Sequence, residues 1–349
     1  MAQRLSQAHY YAGPVTFLRA PQRAIEDLPE GSVGVLGVPL DSWVFGRNGQ
    51  RHGPRAIREQ SLWMAGYYAM QSDTDGYVDV VTGDVWSPPA EPRLFDVGDL
   101  ELPQTDVQEA TAAIADGVAG IVERGAMPVV LGGDHYVPYP SFLGFVDGLR
   151  RRLGRDDVTV GVLNVDGHFD FWDEVTGVGR YNSGTWSRRI SEHPASGRMA
   201  WWGLSGMHLI EPEPLRELHR RGHVGYTLAS IRQRGIEQTM REALELVSEG
   251  ADAVYVTFDI DVTDGAHAPG TTAITVNGLT PGEVLEAIGI LSTFDAVQAL
   301  DVSEMIPQYD VGGGRTARYA GHVILTAIAP RILDSRPEFE QDEIRAVFR

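Results

Sequence analysis

Four short apolar runs, each leading straight into residues that bind metals or protons, constrain this chain more than anything else in it. Met127–Leu131 runs into Gly132, Gly133, Asp134 and His135, and Gly161–Val165 into Asp166, His168 and Asp170. Ala253–Phe258 runs into Asp259 and Asp261, and Ala296–Leu300 into Asp301 and Glu304. Continuous apolar runs of this length suit strands buried on both faces. Further strands are read at Val33–Val38, Phe95–Val97, Arg198–Gly203 and Val224–Thr227. Helical patterns lie between them. One starts near Pro54, one runs from a capping box at Thr105–Gln108 to about Arg124, and others cover about Pro140–Leu153 and Ile236–Ser248. Another opens with Thr280, Pro281 and Glu283 as N-cap, first-turn proline and N3 acid, and a last one begins near Thr316. Residues 70–95 read as loop with a short hairpin, and residues 171–187 as a long Gly-rich loop. Strand and helix alternate, so the expected fold is α/β with a mostly parallel sheet covered on both faces. No repeat, low-complexity segment or linker divides it. Residues 1–30 read as an N-terminal arm and 31–349 as one catalytic domain.

In a parallel sheet the site lies beyond the carboxyl ends of the strands, where all four sets of residues would converge. Taken singly, each has an ordinary explanation. GGDH makes a tight turn, Asp-x-Asp a helix cap or Asx-turn, and Glu304 a surface acid. Four such sets at one edge are another matter, because crowded buried carboxylates repel unless a cation compensates. Asp166, His168 and Asp170 share one face if the chain stays extended. Hard donors in this number suit two divalent ions, which together can hold and activate one water. His267, six residues after Asp261, can face the same site, whereas His52, His193, His219 and His223 read as surface or structural.

The chain has no cysteine, which excludes disulfides, thiolate metal sites and cysteine nucleophiles. A net charge of −19 argues against nucleic acid and anionic membrane partners and is compatible with a small cationic substrate. The first twenty residues lack a continuous apolar stretch of the secretory kind, and no run of about 18 apolar residues is present. A cytoplasmic protein is expected.

Read together, VLGVPLD, GQRHGPRAIRE, LGGDH, NVDGHFD, FDIDVTDGAHAPGT and LDVSEMIPQYD resemble the ureohydrolase family of arginase, agmatinase, guanidinobutyrase and formiminoglutamase, in the family's order. The resemblance implies a three-layer α-β-α fold and a binuclear site of two Mn²⁺ or Ni²⁺ ions. It makes His135, Asp166, His168, Asp170, Asp259 and Asp261 the metal ligands, with Asp166 and Asp259 bridging. Asp170 would orient the metal-bridging hydroxide and take its proton. Glu304 would hold the substrate's guanidinium through paired, charge-assisted hydrogen bonds. The products would be urea or a urea derivative plus an amine or ammonia. The family is oligomeric, so a trimer or hexamer is expected, or a hetero-oligomer with a related subunit.

The sequence departs from the family at Tyr181-Asn182-Ser183-Gly184-Thr185, where arginases and agmatinases carry a proton-shuttling His just before the Gly. Here that residue is Ser183, a pattern closer to formiminoglutamases. His267 is the expected replacement shuttle, and Asn182 and Ser183 are the expected substrate contacts beside Glu304. Trp43, Phe45, Phe171, Trp172 and Trp186 flank the motifs. An aromatic rim favours a compact cation: guanidine, a guanidino acid, or an alkylated guanidine or biguanide such as metformin. The alternatives are a formiminoglutamase-like hydrolase releasing formamide and a structural subunit of a heteromeric ureohydrolase. A deacetylase of related architecture fits less well with Glu304 and the GQRHGPRAIRE segment.

Overall fold

The computed structural model describes residues 13–44, 46–68, 77–78, 85–205 and 210–335. Its strands are β1 (Val33–Gly37), β2 (Tyr77–Val78), β3 (Val85–Ser87), β4 (Leu94–Asp99), β5 (Met127–Leu131), β6 (Val160–Val165), β7 (Ser196–Leu204), β8 (Val224–Thr227), β9 (Ala253–Asp259), β10 (Val297–Ser303) and β11 (Asp334–Ser335). Eight of them form one sheet in the order β4-β1-β5-β10-β9-β6-β7-β8, and every pairing in it is parallel. The other three form a small antiparallel sheet in the order β11-β3-β2. The expected hairpin near residues 70–95 is the β2–β3 pair, and its connecting residues lie outside those described.

The helices are α1 (Gly53–Tyr68), α2 (Val107–Glu123), α3 (Pro138–Leu153), α4 (Trp186–Glu192), α5 (Pro212–Arg220), α6 (Leu228–Arg234), α7 (Ile236–Ser248), α8 (Pro281–Leu291) and α9 (Arg315–Ile332). Alternate residues of each central strand face opposite layers. Leu163 and Val165 of β6, with Val254, Val256 and Phe258 of β9, pack with residues of α1, α7, α8 and α9. Val160, Val162, Ala253 and Tyr255 turn the other way, into residues of α2, α3 and α4. This is the three-layer α-β-α fold. Phe17 and Leu18, from the segment read as an arm, are buried in the first of these cores.

Several boundaries differ from expectation. The N-cap of α2 is Asp106 and not Thr105, because its carboxylate accepts from the N–H groups of both Gln108 and Glu109. Helix α3 opens at Pro138, two residues early, and α4 to α6 were unforeseen. The Thr280–Glu283 capping box is present in full. Strand β10 runs on to Ser303, which places Asp301 inside the sheet rather than beyond it.

Candidate metal centre

The four strands that carry the unusual residues, β5, β10, β9 and β6, are contiguous in the middle of the sheet. Val302 pairs with Leu131 on one side and Phe258 on the other, and Phe258 pairs with Val165. The next residue on each strand therefore brings Gly132, Ser303, Asp259 and Asp166 into one row at the carboxyl edge. His135, His168, Asp261 and Glu304 follow within a few residues.

Two three-residue groups result, His135–Asp166–Asp259 and Asp166–His168–Asp261, and Asp166 belongs to both. One oxygen of Asp166 lies 3.5 Å from Nδ1 of His135 and the other 3.4 Å from Nδ1 of His168. Asp259 lies 3.0 Å from His135, and Asp261 lies 3.0 Å from His168. Asp170 joins the first group, with Oδ2 2.9 Å from His135 Nδ1. The segment Asp166–Asp170 is not extended. The His168 N–H turns back to donate to Asp166 Oδ1 at 2.6 Å, and Asp170 adopts a left-handed φ of 48°. The bend is held by Ser187, whose hydroxyl donates to the carbonyls of Phe169 and Asp170. Asp259 likewise caps the turn Ile260–Val262 through the Asp261 N–H. These acids therefore form the expected Asx-type turns and point into one site as well.

Electrostatically the cluster calls for cations. Burial, together with the charge of Asp261, holds Asp259 well above the usual carboxylate range. Burial and the charges of Asp166 and Asp170 raise Asp261 to about 7 against the pull of His168. Burial opposes protonation of His135, yet Asp259, Asp170 and Asp166 raise its pKa well above normal. Asp261 Oδ1 is buried with no hydrogen-bond partner. An orphaned carboxylate oxygen among hard oxygen and imidazole donors fits divalent ions.

A second layer of polar residues orients these groups. His135 Nε2 stands 3.2 Å from Thr257 Oγ1, which donates to Asp301 Oδ1 at 3.0 Å. Tyr255 and Ser303 also donate to Asp301. Because the Thr257 proton goes to Asp301, its oxygen accepts from Nε2–H, and Nδ1 of His135 is left facing the acids. Asn164 donates to Asp166 Oδ2 at 3.0 Å. Trp186 Nε1 donates to Asp170 Oδ2 at 3.1 Å, and its ring lies 4.8 Å from that of His135.

Glu304 is buried at the end of β10 with a left-handed φ of 70°. Its Oε1 accepts the His135 N–H at 2.7 Å and its Oε2 accepts Gln50 Nε2 at 3.0 Å. Burial raises its pKa against the hydrogen bonds from Thr272, Gln50 and His135. The Glu304 N–H donates to Gly133 O. A side chain at Gly133 would collide with the Leu40 carbonyl at 1.8 Å, so the GGDH turn needs glycine there. Asp134 is no ligand. It accepts the N–H groups of Trp43 and Tyr136, and burial raises its pKa to about 7.

The other expected site residues are placed as follows. Asn182 is fully buried, and its amide bonds within its own loop, to Gly179 O and Gly184 N–H. The Ser183 N–H donates to Trp43 O, tying this loop to residues 40–52. His267 is exposed on a turn closed by Asp264. Phe171 and Trp186 are buried, Phe171 against Trp201 of β7 and Trp186 as the first residue of α4, whereas Trp172 is exposed. Phe45 lies outside the described residues. Gln50, Thr257 and Asn164 were not foreseen as partners of the site, and Trp186, expected on its rim, bonds Asp170 instead. For Thr257 and Asn164 a signal existed, since each is a polar residue inside an apolar strand two places before an acid of the cluster.

The parallel sheet with acids and imidazoles at its carboxyl edge defines an enzyme of the arginase-fold class. The arginase family model matches residues 31–329. Guanidinopropionase of Pseudomonas aeruginosa is 32% identical over 305 residues, covering 87% of this chain and 87% of its own. The proclavaminate amidino hydrolase from Streptomyces clavuligerus superposes with a TM-score of 0.75 at 26% identity, over 92% of this chain and 97% of that one. Formiminoglutamase of Trypanosoma cruzi with Mn²⁺ superposes with a TM-score of 0.69 at 23% identity, over 90% and 97% of the two chains. The chain belongs to the arginase family and is a hydrolase acting on C–N bonds in linear amidines. Among the described residues no helix is long and apolar enough to cross a membrane.

Proposed function

We propose that this hydrolase cleaves a C–N bond of a small guanidine-type compound, with His135, Asp166, His168, Asp170, Asp259 and Asp261 holding two divalent ions. The observation that carries the reading is Glu304. It is a buried carboxylate in a left-handed turn, bonded through one oxygen to the backbone of a proposed ligand residue. A planar guanidinium donates two parallel N–H bonds to such a group, which fixes the reacting carbon beside the acids. The ions, Mn²⁺ as in the trypanosomal relative or Ni²⁺, supply Lewis acidity and a water acidic enough to react at neutral pH. Asp170, fixed by His135 and Trp186, accepts the proton of the attacking water. The C–N bond then breaks, and the leaving nitrogen takes a proton carried by His267. Asn182 and Ser183 act by shaping the loop that meets the substrate's far end.

A compact substrate is favoured. A cavity of about 50 Å³ touches His168 and Asp170 on one side and Phe171, Trp172, Ile210 and Pro214 on the other. Its aromatic lining suits a compact cation beside the acids. The candidates are guanidine, a guanidino acid such as the Pseudomonas relative's name indicates, and an N-alkylated guanidine or biguanide such as metformin. A formimino substrate releasing formamide is the second reading, supported by the Ser183-Gly184-Thr185 pattern and the trypanosomal relative. The intact ligand set argues against a purely structural subunit. We further propose a cytoplasmic homo-oligomer, a trimer or hexamer, or an assembly with a related chain; sedimentation of the purified protein decides between these.

The test is an assay of urea, ammonia and formamide across guanidines and formimino compounds, after loading with Mn²⁺ or Ni²⁺. Urea or a urea derivative is expected from at least one guanidine. Formamide alone would establish the second reading, and no product from any compound would remove both. Replacing His267 with Ala is expected to slow turnover and alter its pH profile, and an unchanged profile removes the shuttle role.

A further inference from the structure

Gln50 is fully buried on the loop before α1, and all its donor capacity is directed inward. Nε2 donates to Glu304 Oε2 at 3.0 Å and to Arg47 O at 2.9 Å, and lies against Thr272 Oγ1. The opposite atom, Oε1, is buried with no hydrogen-bond partner. Rotating the amide does not resolve this. It would set Oε1 against the carboxylate of Glu304 and the carbonyl of Arg47, acceptor against acceptor, and leave the NH₂ unpaired. Glu304 therefore fixes which way the amide lies, and one acceptor is left over beside the carboxylate. A buried acceptor without a partner is costly, and a site built that way favours a ligand that brings the missing donor.

We propose that Gln50 is a specificity-determining residue whose Oε1 accepts an N–H from the third nitrogen of a guanidinium held by Glu304. This rests on Glu304 as the cation's partner. Glu304 alone can hold any amidinium, since two N–H groups suffice. The Gln50 carbonyl adds a requirement for a further N–H, which a guanidinium has and a C-methyl amidinium lacks. The substrate class follows: guanidines with at least one hydrogen on the nitrogen facing Gln50, in preference to carbon-substituted amidines and to guanidines dialkylated at that nitrogen.

The experiment measures calorimetric binding of guanidinium chloride and acetamidinium chloride to the metal-loaded full-length protein. The wild type is expected to prefer guanidinium by about tenfold, the worth of one hydrogen bond to a cation. Gln50→Met keeps the side chain's length but removes its hydrogen bonding, and the ratio is expected to fall to about one. If the variant merely misplaced Glu304, both cations would weaken equally and the ratio would persist, which overturns the proposal. An unchanged ratio with unchanged affinities means that solvent pairs Oε1, and it overturns the proposal too. Should Gln50→Met fail to fold, the wild type decides alone: a clear preference for guanidinium over acetamidinium is expected, and equal affinity for the two cations overturns the idea. Glu304→Gln separates the two claims. If it leaves both affinities untouched, the role given to Glu304 fails. If it weakens both while Gln50→Met keeps the wild-type ratio, only the role of Gln50 fails.

Discussion

Thr257 Oγ1 sits 3.2 Å from Nε2 of His135, on the side of the imidazole away from the acids. Its own proton is committed to Asp301, so the hydroxyl fixes both the tautomer and the tilt of the ring. Thr257→Val preserves shape and removes that acceptor. Metal affinity is expected to fall about 10- to 100-fold, the usual effect of losing such an outer partner. Competition with a chromophoric chelator measures it, and unchanged affinity would show that packing alone orients His135.

Asp166 faces both histidines and belongs to both three-residue groups. Removing metal with a chelator is expected to lower the melting temperature, and Mn²⁺ at about a thousand times its dissociation constant restores about 4 kcal/mol. Asp166→Asn should lose most of this response. A melting temperature indifferent to both chelator and Mn²⁺ would contradict the assignment of a metal centre.

Far from the site, Arg58 donates twice to Asp96, at 2.8 and 3.0 Å, and also pairs with Asp99. Asp96 in turn accepts the Phe17 N–H, anchoring the N-terminal segment to the sheet. Arg58→Met strands a buried carboxylate. A loss of about 3–5 kcal/mol is expected in urea unfolding of the metal-loaded protein. A loss below about 1 kcal/mol would mean that Asp96 finds another partner or water.

His223 gives the fold a dependence on pH separate from the metal site. Its Nδ1 accepts the Met199 N–H, and burial together with the charge of Arg221 lowers its pKa to about 4. The folded ring thus refuses a proton that the unfolded chain accepts at its ordinary 6.5. The stability it contributes is complete above 6.5 and is lost as pH falls toward 4, by about 3 kcal/mol. His223→Asn keeps an acceptor for Met199 and should flatten the unfolding free energy across this window. An equally steep variant would assign the slope to other groups.

The cluster of acids and imidazoles was legible in the sequence because its residues sit at strand ends, where a short apolar run and the acids after it are visible together. The supporting layer was half legible. Asn164 and Thr257 each precede an acid of the cluster by two places, and strand alternation puts both members of such a pair on one face. What could not be read depends on contacts between distant loops. Gln50 meets Glu304 across 254 positions, and no local pattern marks it. The aromatics misled for the same reason: nothing near Phe171 or Trp186 shows that the first packs on Trp201 and the second on His135. Helices α4 and α6 are seven residues each, too short for periodicity to declare itself. At α2, Thr105 and Asp106 are both good caps, and only the geometry chooses between them.

The row of four adjacent strand ends has a consequence for biogenesis. His135 and Glu304 meet across 169 positions, through a pairing between β5 and β10 that closes only after most of the chain exists. Pairings this distant in sequence form late, because the intervening chain must be ordered first. The sheet edge that carries the acids and imidazoles is therefore completed late in folding. The ions proposed above would then meet a sheet that is already formed.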